Sequence, residues 1–122
     1  MSHLVTLQTK VHDSAAVAAA CQRLNLAPPQ HGTAQLYSGE AEGLLVQLPG
    51  WQYPIVIDTL SGVVRYDHYQ GRWGDPGQLD RFLQLYAVEK AKLESRKKGY
   101  TVSEQSLHDG SIKLQIIEGN LT

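Results

Sequence analysis

The stretch Asp75–Glu118, DPGQLDRFLQLYAVEKAKLESRKKGYTVSEQSLHDGSIKLQIIE, has the clearest pattern in the chain. Its first two residues are typical of a helix start, because Asp accepts hydrogen bonds from free amides and Pro suits the first helical position. Gly99 follows three basic residues and is typical of a helix end. The apolar residues between these ends recur at helical spacing: Leu79, Phe82, Leu83, Tyr86 and Leu93. A helix with one buried stripe is therefore predicted over 76–98.

A β-hairpin is predicted directly after this helix. In residues 100–105 and 112–116, apolar and polar side chains alternate, so one face of each segment is more apolar than the other. Asp109-Gly110 lies between them and is a preferred two-residue hairpin turn. The pattern predicts that the apolar side of this hairpin is covered and the other side is wet.

Size and composition limit the class of protein. A chain of 122 residues with 42% hydrophobic content fits one domain, residues 1–122. The 11 basic and 12 acidic residues give a net charge of −1, so nucleic-acid binding is not expected. A single cysteine, Cys21, excludes an internal disulfide and a multi-cysteine metal site. The chain has neither an apolar run of roughly 20 residues nor the layout of a signal peptide, and a cytoplasmic location without membrane contact is expected.

The N-terminal part of the chain predicts one more helix among several strands. A strand is predicted at 4–11, and a helix capped by Asp13 or Ser14 follows it and stops at Asn25. The stripe of this helix is Val17, Ala20, Cys21 and Leu24. Further strands are predicted at about 33–38, 43–48, 55–57 and 63–69, with turns around Ser38-Gly39-Glu40 and Ser61-Gly62.

The predicted element order is β, α, β, β, β, β, α, β, β. Successive hairpins favour an α+β domain with a mostly antiparallel sheet of about seven strands and two helices packed on one face. A sheet of this size has edges to cover, so pairing of edges in a homodimer is one expected outcome.

Both ends of the chain resemble the Ycf35 family, a group of uncharacterised proteins also designated DUF1257. The resemblance is carried by Met1-Ser2-His3, Thr6, Thr9-Lys10 and Asp13 near the start, and by Gln84, Tyr86, Ala87, Gly99-Tyr100 and Asp109–Leu114 in the C-terminal half. The chain departs from the family at Asn25, where members often have Gly, and in the loop 49–54. The resemblance implies an accessory role without an established activity. It also implies a partner protein, an ATPase of the AAA class.

Five histidines, His3, His12, His31, His68 and His108, raise the question of a metal site. Their spacings include no H-x-H, H-x-x-x-H or H-x-x-E-H, so no metal and no cofactor is predicted. Cys21 lies on the apolar stripe of the first helix, which favours packing over a role as nucleophile.

The most enzyme-like group lies in the second predicted hairpin and consists of Asp58, Asp67 and His68. If Asp58 were buried in its apolar strand, its pKa would rise, and it could act with His68 as the acid/base pair of a small hydrolase or isomerase. The alternative is that Asp58 faces solvent. This enzyme hypothesis predicts that the two side chains converge in a pocket.

Aromatic residues and an arginine are concentrated in two loops, and such residues are enriched at binding surfaces. They are Trp51, Tyr53, Tyr66, Tyr69, Arg72 and Trp73. The same residues could instead close the open end of a sheet. The favoured interpretation is a non-catalytic module that recognises a protein partner or a small ligand through this aromatic surface or through a sheet edge.

Overall fold

The computed structural model describes residues 4–69 and 71–118, and it confirms the α+β class and the predicted order of elements. The elements are β1 (Leu4–Leu7), α1 (Ser14–Arg23), β2 (Gln30–Leu36), β3 (Gly39–Val46), β4 (Ile55–Asp58), β5 (Val63–Asp67), α2 (Pro76–Lys97), β6 (Thr101–Ser106) and β7 (Ile112–Ile117). The seven strands divide into an antiparallel sheet of five and a separate hairpin of two. None of the helices in the described part of the chain combines the length and apolar character needed to cross a membrane.

The five-stranded sheet has the order β1-β5-β4-β3-β2, and both helices cover one of its faces. Inward-facing residues of the middle strands, such as Ile57 and Val64, are 0% exposed under the helices. From α1, the residues Val17, Ala20 and Cys21 are fully buried, as predicted. From α2, the stripe begins as predicted with Leu79, Phe82 and Tyr86, and it also includes Leu85 and Val88. This layer is the main core.

Both helices end in the same hydrogen-bond pattern. At the end of α1, Leu26 N–H donates to Cys21 O and Asn25 N–H donates to Gln22 O, with Asn25 in the left-handed conformation at φ 58. At the end of α2, Tyr100 N–H and Gly99 N–H make the equivalent bonds to Ser95 O and Arg96 O. These paired bonds are a Schellman motif, which needs a residue that tolerates positive φ. The predicted stops at positions 25 and 99 are confirmed.

The β2–β3 hairpin bends over the second face of the sheet. β3 pairs with β4 only through 44–46, and the bend lies at Gly43, where a Cβ would stand 2.5 Å from Ile57 O. The bend buries a second, smaller core of Ala34, Leu36 and Val56. At the hairpin tip, Ser38 N–H and Ser38 Oγ–H each donate to the carboxylate of Asp67, both at 2.9 Å. Asp67 is 0% exposed, so these bonds tie the tip to β5.

Several predicted strand boundaries are wrong: the first strand ends at Leu7 and not at residue 11, and β2 and β3 begin at Gln30 and Gly39, earlier than predicted. Two further errors have a reason visible in the structure. The β2–β3 turn is formed by Tyr37 and Ser38, since Leu36 pairs with Gly39, and not by residues 38–40. β5 ends at Asp67 because the chain leaves the sheet before Tyr69, which has φ 47.

The C-terminal hairpin is separate from the main sheet and packs on α2. Its loop is not the predicted two-residue turn. Gly110 N–H donates to Leu107 O at 3.1 Å, and Leu107 N–H donates to Ser111 O at 2.9 Å. This is the three-residue loop in which a type I turn is followed by a glycine with positive φ, here +86 at Gly110. The two bonds also fix which pairs of the hairpin are hydrogen-bonded.

An ion-pair network joins the hairpin to both helices. Glu104 accepts two hydrogen bonds from Arg23, at 2.9 and 2.5 Å, and one from Lys92 at 2.8 Å. Hydrogen bonds from these two cations lower the pKa of Glu104 to about 2. Lys92 also pairs with Glu89 at 3.3 Å. The network holds β6 against the C-terminal end of α1.

Candidate functional site

Asp58 and His68 do not converge. Asp58 is the last residue of β4 and pairs with Val63 beside the β4–β5 turn, whereas His68 follows the other end of β5. Five residues of extended chain separate Val63 from His68, which corresponds to roughly 16 Å along the strand. The structure therefore gives these two residues no shared pocket in which they could act as an acid/base pair.

Asp58 stabilises its own turn. Its carboxylate accepts hydrogen bonds from Leu60 N–H at 3.0 Å and from Ser61 Oγ–H at 2.9 Å. The Ser61 bond, followed by the Leu60 bond, lowers the pKa of Asp58, which is the opposite of the shift expected for a buried general acid. Asp58 also lines a shallow cavity of about 240 Å³ with His31 and Glu42. Within 4–69 and 71–118, no group of three acidic, histidine or cysteine side chains could hold a metal ion.

His68 organises the loop that leads to α2. Its Nδ1 accepts a hydrogen bond from Gly71 N–H at 2.8 Å, and its backbone oxygen accepts from Trp73 N–H at 2.9 Å. The imidazole ring stacks on Tyr66, with ring centroids 5.4 Å apart. His68 therefore shapes the loop that presents Trp73.

The sequence predicts no metal or nucleophilic role for the other histidines and Cys21. His12 Nδ1 lies 2.9 Å from Thr59 O, where it ties the segment after β1 to the β4–β5 turn. His31 and His108 are exposed, and His3 lies outside the described residues. Cys21 is buried in the main core, and burial raises its pKa to about 11. A thiol with a raised pKa is a poor nucleophile at neutral pH.

Two of the six aromatic-surface candidates turn inward. Trp51 is only 5% exposed, belongs to the main core, and donates from Nε1 to Asp75 O at 3.0 Å. Its ring packs edge-on against Tyr66 with centroids 5.6 Å apart. Gly74 lies against the Trp51 indole so closely that a Cβ there would stand 2.3 Å from the ring. Trp51 is therefore a core residue with little surface to offer a ligand, and Tyr66 beside it is partly buried against the same core.

The other four candidates meet at one end of the five-stranded sheet, and Tyr37 joins them. We call Tyr37, Tyr53, Tyr69, Arg72 and Trp73 the Trp73 cluster. Among the residues that the structure describes, the Trp73 ring lies beside Tyr37, Tyr53 and Tyr69, at centroid distances of 4.9, 5.3 and 5.1 Å. The guanidinium of Arg72 lies over the Tyr69 ring, 4.8 Å from its centroid. The cluster combines one stacked, one tilted and one edge-on ring contact with a cation that lies over Tyr69.

Three loops converge to form this cluster. Tyr37 comes from the β2–β3 turn, Tyr53 from the β3–β4 loop, and the other members from the loop after β5. Gln52 N–H donates to Trp73 O at 2.8 Å and so joins the second loop to the third. The bonds of Ser38 to Asp67 fix the first loop. Because hydrogen bonds hold all three loops, the rings are in place before any ligand arrives.

Tyr37 was missed by the sequence interpretation. The strand predicted at about 33–38 includes Tyr37, because the turn is predicted around residues 38–40. In the structure Tyr37 is 60% exposed, and it reaches Trp73 only because the hairpin bends over the sheet. No local signal in the sequence connects these two residues, which are far apart in the chain.

Comparison of the chain with models of known protein families, with curated proteins and with solved structures gave no match. The resemblance to the Ycf35 family stays a prediction. Inferences about function therefore depend on the chemistry of the chain's own residues.

Proposed function

We propose that this protein is a non-catalytic binding module that recognises another protein through the Trp73 cluster. The observation that carries the proposal is Tyr37, a residue that is 60% exposed and whose ring packs beside Trp73 on loops fixed by hydrogen bonds. Tyr, Trp and Arg are the residues that most often dominate binding energy at protein interfaces. Rings that are already ordered lose little side-chain entropy when a partner binds.

Arg72 indicates the chemistry of the partner. Its side chain is exposed, and its guanidinium carbon lies over the Tyr69 ring. A guanidinium held over a ring still has N–H groups that can donate to a ligand, and a carboxylate can accept two of them at once. We therefore propose a partner segment with an apolar or aromatic side chain next to an acidic one. Family resemblance makes an ATPase of the AAA class the first candidate, in the cytoplasm.

Alanine variants of the exposed members of the Trp73 cluster test this proposal. Tyr37→Ala and Arg72→Ala are each expected to weaken binding by about 10-fold or more, the range of an interface hot spot. Leu60→Ala is the matched control, because Leu60 is 92% exposed but lies on the β4–β5 turn at the other end of the sheet. Binding is measured by calorimetry against the purified candidate ATPase and against proteins captured from native lysate. Equal binding by all variants would contradict the proposal.

Circular dichroism on each variant shows whether the fold is intact. Trp51→Ala is not suitable as a binding probe, because it would leave a cavity in the main core and destabilise the whole domain. Trp73→Ala serves as a second probe only if its thermal unfolding stays close to that of the unmodified protein.

A further inference from the structure

The C-terminal hairpin has an edge that the described chain leaves uncovered. β7 pairs only with β6, and the resulting sheet has two strands. Two-stranded sheets are marginally stable in water, and an open strand edge is a template for pairing with another strand. Ile116 and Ile117 on β7 are 44% and 39% exposed.

The hairpin loop shows which backbone groups of β7 point to this edge. Leu107 N–H donates to Ser111 O, so these opposite residues form a hydrogen-bonded pair. Hydrogen-bonded and non-hydrogen-bonded pairs alternate along an antiparallel ladder. The register Ser106↔Ile112 and Glu104↔Leu114 then places Ile112, Leu114 and Ile116 in non-hydrogen-bonded pairs. The N–H and C=O groups of these three residues therefore point away from β6.

We propose that β7 pairs antiparallel with β7 of a second copy of this chain, in a register centred on Leu114. Leu114 then lies opposite its counterpart, and Ile112 lies opposite Ile116 of the second copy. Each of the three pairs exchanges two bonds, which gives roughly six new hydrogen bonds. The edge is self-complementary, because the three residues whose backbone groups point outward, Ile112, Leu114 and Ile116, are symmetric about Leu114. This surface is separate from the Trp73 cluster and does not depend on the proposed function.

Charge and side-chain pattern favour this occupant. In the register centred on Leu114, Lys113 faces the neutral Gln115 of the second copy, so no like charges stand directly opposite one another. Ile112, Leu114 and Ile116 share one face of β7, the face packed towards α2. The dimer would extend that face into a four-stranded sheet with both α2 helices on the same side. The exposed Ile116 would be covered by Ile112 of the second copy.

Hydrogen exchange measured at two protein concentrations tests the register directly. The amides of Leu114 and Ile116 are expected to exchange at least 10-fold more slowly at high concentration. The amides of Lys113 and Gln115 point to β6 and serve as internal controls, with protection that stays independent of concentration. Protection that does not change for Leu114 and Ile116 would overturn the proposal.

Sedimentation velocity on two variants separates edge pairing from side-chain contact. Ile116→Pro removes an N–H that points to the edge and leaves the β6–β7 bonds intact, whereas Ile116→Thr keeps the N–H and the β-branched shape. The unmodified protein and Ile116→Thr are expected to dimerise at high micromolar concentration, since a single strand pair is a small interface. Ile116→Pro is expected to stay monomeric, with Lys113 and Gln115 amides still protected. A protein that is monomeric throughout, or a proline variant that still dimerises, would refute the inference.

Discussion

Replacing Ser38 by alanine removes one of the two donors to a carboxylate that water does not reach. Asp67 is 0% exposed and accepts from Ser38 N–H and Ser38 Oγ–H, both at 2.9 Å. A net hydrogen bond to a charged group contributes about 1.5–3 kcal/mol, and a buried charge that loses a donor has a further desolvation penalty. We therefore expect Ser38→Ala to lower the free energy of unfolding by about 2–4 kcal/mol.

Ser61→Ala is the matched control for this prediction. Ser61 Oγ–H donates to Asp58 at the same distance, 2.9 Å, but on an exposed turn where water can replace the hydroxyl. Ser61→Ala is therefore expected to lower the free energy of unfolding by much less than Ser38→Ala. The measurement is urea unfolding monitored by tryptophan fluorescence, in which Ser38→Ala should lower the midpoint by about 1–4 M, given a typical slope of about 1–2 kcal/mol/M. Equal losses in the two variants would refute the conclusion that burial of Asp67 makes this contact strong.

Three further predictions concern the bend in β3, the ion-pair network and the thiol. Gly43→Ala is expected to lower the free energy of unfolding by about 1–3 kcal/mol, because its Cβ would stand 2.5 Å from Ile57 O. The control is Gly32→Ala on the paired strand, where the new Cβ meets only an ordinary contact at 3.7 Å. The control should leave the midpoint of the same urea assay unchanged. Glu104 has a pKa lowered to about 2 in the folded state from 4.5, so its contribution to stability is fully present above pH 4.5 and is lost as the pH falls towards 2. In Glu104→Gln, the loss of stability between pH 4.5 and pH 2 should be smaller by about 1–2 kcal/mol, a modest amount because the group is only partly buried. An unfolding midpoint with the same pH profile as the unmodified protein would contradict the role of the network. Cys21, with a pKa raised to about 11, should react with a thiol reagent at pH 7 only at the rate of unfolding, and fast labelling of the native protein would show that it is accessible.

Much of the fold was predictable because its signals are local. The positions of Asp13 and Asp75 before apolar stripes, and of Asn25 and Gly99 after them, determine where both helices begin and end. These residues act on neighbouring backbone groups, so a single sequence is enough to detect them. The positions of the strands along the chain follow from the alternation of apolar and polar residues, which is also a local signal.

The errors arose where contacts between distant parts of the chain decide the outcome. The β2–β3 turn is placed by the contact of Ser38 with Asp67, 29 residues away, and no local pattern reports it. Trp51 turns inward because Gly74 leaves room for its indole ring. The turn at Asp109 shows a different cause, since its carboxylate accepts from Ser111 N–H at 2.9 Å and so favours the three-residue loop over the two-residue turn.

The candidate site was predicted in part. Tyr53, Tyr69, Arg72 and Trp73 were identified from composition alone, and the structure brings them together. Tyr37 was missed because only the bend of the β2–β3 hairpin brings it near. The same limit explains the pairing of Asp58 with His68 in the enzyme hypothesis, since ten residues of separation say nothing about a shared pocket when a hairpin turn lies between them.

The pairing of β1 with β5 has a consequence for how the chain acquires its structure during translation. Residues 4–7 bond to residues 64–67, whereas β2, β3, β4 and β5 each follow their neighbour along the chain. The consecutive hairpins can assemble as they leave the ribosome, but the first strand has no partner until about sixty more residues have been synthesised. Within the five-stranded sheet, we therefore expect β1, the strand made first, to be the last to dock.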